Sequence, residues 1–393
     1  MENIYANRMK NVPRSFIREI LKVVDDPEII SFAGGLPNPD LFPVNEIKNA
    51  AVSQFDNHGK EILQYSSTEG YPPLREFIAN RYNEKKGLNI TKDDVLITHG
   101  SQQALDLLGK LFLNEDDFIA IEEPGYLGAI QALAVYTKNF KTVKLSQEGL
   151  DLEELEDVLE EFSPKLLYTV PNFQNPSGIT YTNKNREKIA DLLKKHNIYL
   201  IEDDPYGELR FEGEDSVSFK KLIPEQTILL GSFSKIVAPG FRLGWVVAPK
   251  DVLENLVTAK QGADLHSNYV GQRILYQFLK ENDLDKHIMN IKMRYGAQKN
   301  AMIESIKKYF PKDVEYTNPQ GGMFLWVTLP NNISALELFD KAIEKKVAFV
   351  PGDPFYIDKK NVNTLRLNYS CSNEESIEEG IKRLASTIQE LVV

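Results

Sequence analysis

In GSFSKIVAPGFRLGW, residues 231–245, Lys235 sits among the hydroxyls of Ser232 and Ser234, and Arg242 follows with no acidic residue between them. A lysine amine attacks carbonyls only when unprotonated, and neighbouring positive charge lowers its pKa from an ordinary ~10.4 toward neutrality. The two serines and the arginine would suit a dianionic phosphate. The stretch therefore asks for one ligand that carries both a carbonyl and a phosphate. Ser232-Phe-Ser-Lys235 also spells the S-x-x-K pattern of serine acyl enzymes, but the companion motifs S-D-N and K-T-G are missing from the chain.

Such residues need elements to hold them, and the middle of the chain supplies a repeating pair. Short apolar strands alternate with amphipathic segments: DVLIT then SQQALDLLGKLF, DFIAIEE then GYLGAIQALAVY, PKLLYTV then NREKIADLLKKH, followed by NIYLIED, QTILLG and LGWVVAP. Strands that read as continuous Ile, Leu and Val runs are covered on both faces, which predicts an α/β fold with a mostly parallel sheet wrapped by helices. Ligands bind such sheets at the carboxyl ends of the strands. There the chain places Ser101 and Gln102 opening a helix, Tyr126, Asn172 and Asn175, Asp203 with Tyr206, and finally Ser232, Ser234 and Lys235. Each has a bland reading alone, as a helix cap, a half-buried aromatic, a loop aspartate or a surface lysine. Five successive strands delivering them to one edge argues for a site. A ligand with both an aldehyde and a phosphate is pyridoxal phosphate, whose ring nitrogen needs a carboxylate partner to stay protonated, and Asp203 stands where one is required.

After about Ala263 the texture changes. A long helical stretch, roughly Tyr269 to Tyr309, precedes GGMFLWVTL, VAFVPG and NTLRLNYS as strands, which fits a second, smaller α+β domain. The start of the chain holds one amphipathic helix, SFIREILKVV, and the turn-rich SFAGGLPNPDLFP. The expected division is an arm at 1–35 packing with the small domain, a large cofactor domain at 36–265 and a small domain at 266–393.

Composition narrows the partners. With 46 basic against 57 acidic residues the net charge is -11, which argues against a phosphate-backbone binder, so no nucleic acid is expected. The single cysteine, Cys371, permits neither an internal disulfide nor a thiolate metal cluster, and no metal is expected. No apolar run is long enough for a membrane span, and MENIYANRMKNVPRSF has no signal-peptide core, so a cytoplasmic location without membrane contact is expected.

Together these residues resemble the fold type I pyridoxal-phosphate aminotransferases of class I/II. Within them the likeness is to the branch of 2-aminoadipate aminotransferases, kynurenine/aminoadipate aminotransferases and the catalytic half of MocR-type regulators. It runs through SFAGGLPNPDLFP, YSSTEGYPPLR, GSQQALDL, EEPGY, PNFQNPSG, EDDPYGEL, SFSKIVAPGFRLGW and LRLNYS. The resemblance implies that Lys235 condenses with the cofactor aldehyde and later shuttles the α-proton, that Asp203 pairs with the ring nitrogen, and that Tyr126 stacks on the ring. Asn175 and Tyr206 would bond its phenolic oxygen; Ser101, Gln102, Ser232, Ser234 and Arg242 would hold its phosphate. Tyr65 would reach the phosphate of a neighbouring subunit, which implies a homodimer with shared sites and inactive monomers. Arg366 would grip the substrate α-carboxylate as a bidentate fork, with the Gly35 backbone and Asn175 beside it, and Arg18 would read a distal carboxylate. His99, His266 and Cys371 receive no role. The implied reaction moves an amino group from an L-amino acid of 2-aminoadipate, aromatic or branched-chain type to 2-oxoglutarate. A β-lyase or decarboxylase shares the first chemical step, and a non-catalytic cofactor-binding regulator shares the pocket. MocR regulators carry a DNA-binding domain ahead of this part, whereas here only a short segment precedes it, which favours a free-standing enzyme.

Overall fold

The computed structural model describes residues 4, 6–10 and 26–392. The expected helix SFIREILKVV and Arg18 lie outside the described residues.

An eight-stranded sheet runs in the order Val95–Thr98, Gly244–Val247, Thr227–Ser232, Tyr199–Asp203, Leu166–Thr169, Ile119–Glu123, Phe140–Ser146, Gly149–Leu150. From Thr227–Ser232 to Phe140–Ser146 every pairing is parallel. Alternate residues feed two separate cores. Ile119, Ile121, Leu166, Tyr168 and Ile201 face one side, while Ala120, Leu167 and Leu200 face helices Leu152–Phe162 and Asn183–His196 on the other. Two buried faces explain why these strands read as unbroken apolar runs.

Gly244–Val247 departs from the expected pattern, pairing antiparallel with both neighbours. The reason lies in the connection, because Ser232 pairs with Gly244 and Gly231 with Trp245. The Lys235 stretch is thus a broad hairpin loop that leaves one strand and returns in the next. A Cβ on Gly244 would lie 2.8 Å from the Gly100 Cα. The bare backbone there lets the hairpin close against the start of helix Gly100–Phe112.

A second sheet is antiparallel, in the order Glu315–Tyr316, Phe324–Thr328, Thr364–Asn368, Val350–Pro351, and Ile30–Ser31 pairs in parallel with Val347–Ala348. The helical stretch expected from Tyr269 to Tyr309 is two helices, Tyr269–Glu281 and Leu284–Tyr309. Asp283 divides them, its carboxylate accepting from the Lys286 N–H at 3.0 Å, since Asp competes with helical bonding and prefers the cap. Helix Glu374–Val392, not anticipated above, packs along Leu284–Tyr309.

Candidate active site

The strand ends converge on one cleft of about 380 Å³. Lining it are Lys235, Asp203, Tyr126, Tyr206, Ser101, Gln102, Ser232, Ser234, Arg242, Asn175, Gly35 and Arg366, with Leu36, Gly100, Val170, Pro205 and Pro239 completing the wall. Tyr65 is not among the lining residues; it is 78% exposed and meets the His266 ring edge-on at 5.9 Å. The sequence offered no signal for the apolar wall, because Leu36, Val170 and Pro239 reach the cleft only through folding.

Lys235 Nζ donates to the Gly35 carbonyl at 2.7 Å. Part of the residue opens to the cleft, yet the surrounding protein removes enough water that burial is the largest influence, and the pKa is pushed down to about 8. The Arg366 guanidinium assists from the second sheet. Arg242, the cation that the sequence placed nearest, contributes less. Tertiary burial thus outweighs the neighbouring charge that the local sequence offers.

Asp203 ends the strand Tyr199–Asp203, where its Oδ2 accepts from the Tyr168 hydroxyl at 2.8 Å. Burial pushes its pKa up to about 7, against the stabilising Tyr168 bond, and the nearby Asp204 charge adds to the rise. The Ser101 hydroxyl lies close enough to favour the charged form slightly, but neither it nor Asp203 Oδ1 completes a hydrogen bond of good geometry. Tyr126 begins the helix Leu127–Leu133, and its phenol is pushed up to about 12 by burial and then by Asp203. Glu122, one turn of chain earlier, is a buried carboxylate that the sequence did not single out. It accepts from the Tyr181 hydroxyl at 2.6 Å, the Val170 N–H at 2.8 Å and the Gln174 amide at 3.1 Å. It thereby ties the strand Ile119–Glu123, which leads into Tyr126, to the loop that carries Asn175.

A helix start, a serine pair and an arginine also line the cleft. Ser101 and Gln102 lie in the first turn of Gly100–Phe112, where N–H groups lack helical partners. The Gln102 side chain donates to the Gly128 carbonyl at 2.8 Å, and Ser232 Oγ donates to Ser234 Oγ at 2.9 Å. Arg242 holds a left-handed backbone with φ 52°, and a Cβ on Gly100 would lie 3.0 Å from its guanidinium. The helix start and the arginine therefore lie side by side.

Arg366 comes from the strand Thr364–Asn368. Its Nη1 donates to Asn175 Oδ1 at 2.9 Å and its Nη2 to the Ala33 carbonyl at 2.7 Å, while Nε is buried without a partner. The guanidinium lies over the Phe324 ring at 4.3 Å. Burial pushes its pKa down to about 10, which leaves it charged near neutrality.

Residues 28–384 match the family described as aminotransferase class I and II. The chain belongs to that family. It is 41% identical to aromatic-amino-acid aminotransferase 1 of Thermococcus litoralis, over 99% of this chain and 95% of the relative. It is 42% identical to the 2-aminoadipate transaminase of Thermus thermophilus, over 97% and 95% respectively. Among solved structures, the kynurenine aminotransferase of Pyrococcus horikoshii superposes with a TM-score of 0.94 at 40% identity, covering 98% of this chain and 97% of that one. The alpha-aminoadipate aminotransferase of Thermus thermophilus, complexed with N-(5'-phosphopyridoxyl)-L-leucine, gives 0.92 at 41% identity, covering 99% and 98%. The large, mostly parallel sheet wrapped by helices is the architecture of the fold type I aminotransferases.

Proposed function

We infer that this class I and II aminotransferase uses pyridoxal phosphate to move an amino group from an L-amino acid to a 2-oxo acid. The observation that carries the reading is a set of buried polar atoms without partners around one softened amine: Ser101 Oγ, Asp203 Oδ1 and Arg366 Nε, with Lys235 among them. Buried polar atoms are ordinarily satisfied, and of the nine without a partner among the described residues these three belong to residues that line the Lys235 cleft. A phosphate for Ser101, a ring N–H for Asp203 and a carboxylate for Arg366 fit that set.

Once bound, the cofactor supplies an aldehyde to the amine and a protonated ring that accepts electrons from the substrate α-carbon. The chain supplies the rest. Lys235, with its amine pushed down to about 8, has a neutral fraction near neutrality and removes and returns the proton at the substrate α-carbon. Asp203 would keep the ring nitrogen protonated, and Tyr126 would pack against the ring. Asn175 and Tyr206 donate toward the phenolic oxygen. Ser101, Gln102, Ser232, Ser234 and Arg242 hold the phosphate, and Arg366 grips the α-carboxylate beside Gly35 and Asn175.

The amino donor is of 2-aminoadipate, aromatic or branched-chain type, the first two named in similar enzymes and the third in keeping with the phosphopyridoxyl-leucine complex of a structural neighbour, and 2-oxoglutarate is the acceptor. Arg18 reads a distal carboxylate. The arm spans 1–35, the large domain 36–265 and the small domain 266–393. The enzyme is a cytoplasmic homodimer in which Tyr65 serves the partner's phosphate. The exposure of Tyr65 and of Val44, Val52, Phe55 and Leu63, along one side of helix Val44–Ile62 and its end, supports that assembly. Among the described residues no helix is long and apolar enough to cross a membrane.

The decisive experiment supplies the purified protein with pyridoxal phosphate, reduces it with borohydride and maps the adduct by peptide mass. Label on Lys235 is expected, with transamination by the unreduced protein. A colourless, unlabelled chain would sink the reading.

A further inference from the structure

Tyr168 and Asp203 lie on adjacent parallel strands, with Tyr168 opposite Ile201. Asp203 is two residues further along, so both side chains project from the same face of the sheet. The Tyr168 hydroxyl donates to Asp203 Oδ2 at 2.8 Å, and exposure is 0% for Tyr168 and 2% for Asp203. Asp203 Oδ1 is buried with no partner. The carboxylate is therefore anchored through Oδ2 and has no hydrogen bond of good geometry at Oδ1, with the Ser101 hydroxyl close by.

From this geometry we infer that Tyr168 is a positioning residue of the transamination site: its hydroxyl fixes the Asp203 carboxylate so that Oδ1 faces the cofactor's ring nitrogen. The inference rests on the reading of Asp203 given above. A bare carboxylate can rotate about its last bond, and one strong donor on one oxygen removes that freedom. The groups around Asp203 leave Tyr168 this task. Asp204 and Glu122 bring negative charge, and Tyr126 and Tyr206 are phenols elsewhere on the cleft wall. Glu122 is itself occupied by Tyr181, Gln174 and the Val170 N–H. Ser101 offers only the weaker support described above. The Tyr168 phenol stays protonated, and so remains a donor, because burial and the Asp203 charge push its pKa well up.

The test is a double-mutant cycle in the holoenzyme, Tyr168→Phe with and without Asp203→Asn. Phenylalanine keeps the ring in its core position and removes only the donor. Tyr168→Phe should raise the dissociation constant for pyridoxal phosphate, followed by absorbance, about tenfold, and should lower kcat with KM for the amino donor changed less than about twofold. In the Asp203→Asn background the same substitution should alter cofactor affinity by less than about twofold, because the anion it positions is gone. Wild-type affinity in Tyr168→Phe, or an equal penalty in both backgrounds, overturns the inference and leaves Tyr168 as packing. Wild-type affinity and turnover in Asp203→Asn alone would instead overturn the reading of Asp203 on which it stands.

Discussion

Glu202 and Asp203 are consecutive on one strand, and the pleat turns them to opposite faces. Glu202 meets Ser218 Oγ at 2.7 Å, the N–H groups of Phe219 at 3.1 Å and Lys220 at 3.0 Å, and the Arg186 guanidinium at 3.9 Å. Asp203 accepts from a single phenol, and its Oδ1 has no hydrogen bond of good geometry, with the Ser101 hydroxyl close by. Burial pushes both carboxyls above their ordinary range. Burial alone therefore does not separate the two carboxyls; their hydrogen-bond partners do. Glu202 pins a loop to the sheet, whereas Asp203 lines the cleft that holds Lys235.

The sharpest way to break this comparison is to remove one charge at a time. Asp203→Asn should lower kcat about a thousandfold, ~4 kcal/mol of barrier, while leaving the fold intact, because a neutral amide cannot keep the ring nitrogen protonated. Glu202→Gln should do the reverse. It leaves Arg186 buried beside a neutral group and should cost about 3 kcal/mol of stability in calorimetry, with kcat of the folded fraction within about twofold. If Glu202→Gln mainly damages turnover, the contrast between the two faces is wrong.

Arg366→Lys sharpens the same point at the substrate end of the cleft. The orphaned Nε and the paired Nη atoms form a rigid fork that lysine cannot reproduce, so KM for the amino donor should rise about 30-fold, ~2 kcal/mol, in steady-state assays. The smallest effect is in the pH dependence of the cofactor-free protein. Asp203 and Glu122 have folded pKa values pushed up to about 7 from 3.8 and 4.5. The folded state keeps protons that the unfolded chain has released, so this contribution to stability is full below the unfolded values and is lost as pH rises through about 7. Each group contributes a slope of about 1.4 kcal/mol per pH unit within that window. Denaturation midpoints of Asp203→Asn apoprotein should therefore fall less steeply between pH 5 and 7 than those of the parent, roughly by that one-group slope. Parallel curves would show that Asp203 is already ionised there.

Much of the site could be read from the sequence because its parts follow strand ends in order. Ser101, Tyr126, Asn175, Asp203 and Lys235 each sit just past an apolar run, and a parallel sheet must bring such positions to one edge. Tyr168 could not be found that way. It lies within an apolar run, LLYTV, and only the register opposite Ile201 sets it beside Asp203. Glu122 was hidden likewise, as one acid in IAIEE with nothing local to show which face it took.

The alternation of apolar strands and amphipathic helices, the polar residues at their ends and the lysine among hydroxyls are local facts, and with them the sequence alone determined the α/β class and most of the cleft's membership. Folding decided the energetics. Lys235 is softened chiefly by burial and by Arg366, a cation from a different sheet, more than by the Arg242 printed beside it. Desolvation depends on everything that surrounds an atom, and a sequence lists only the neighbours along the chain.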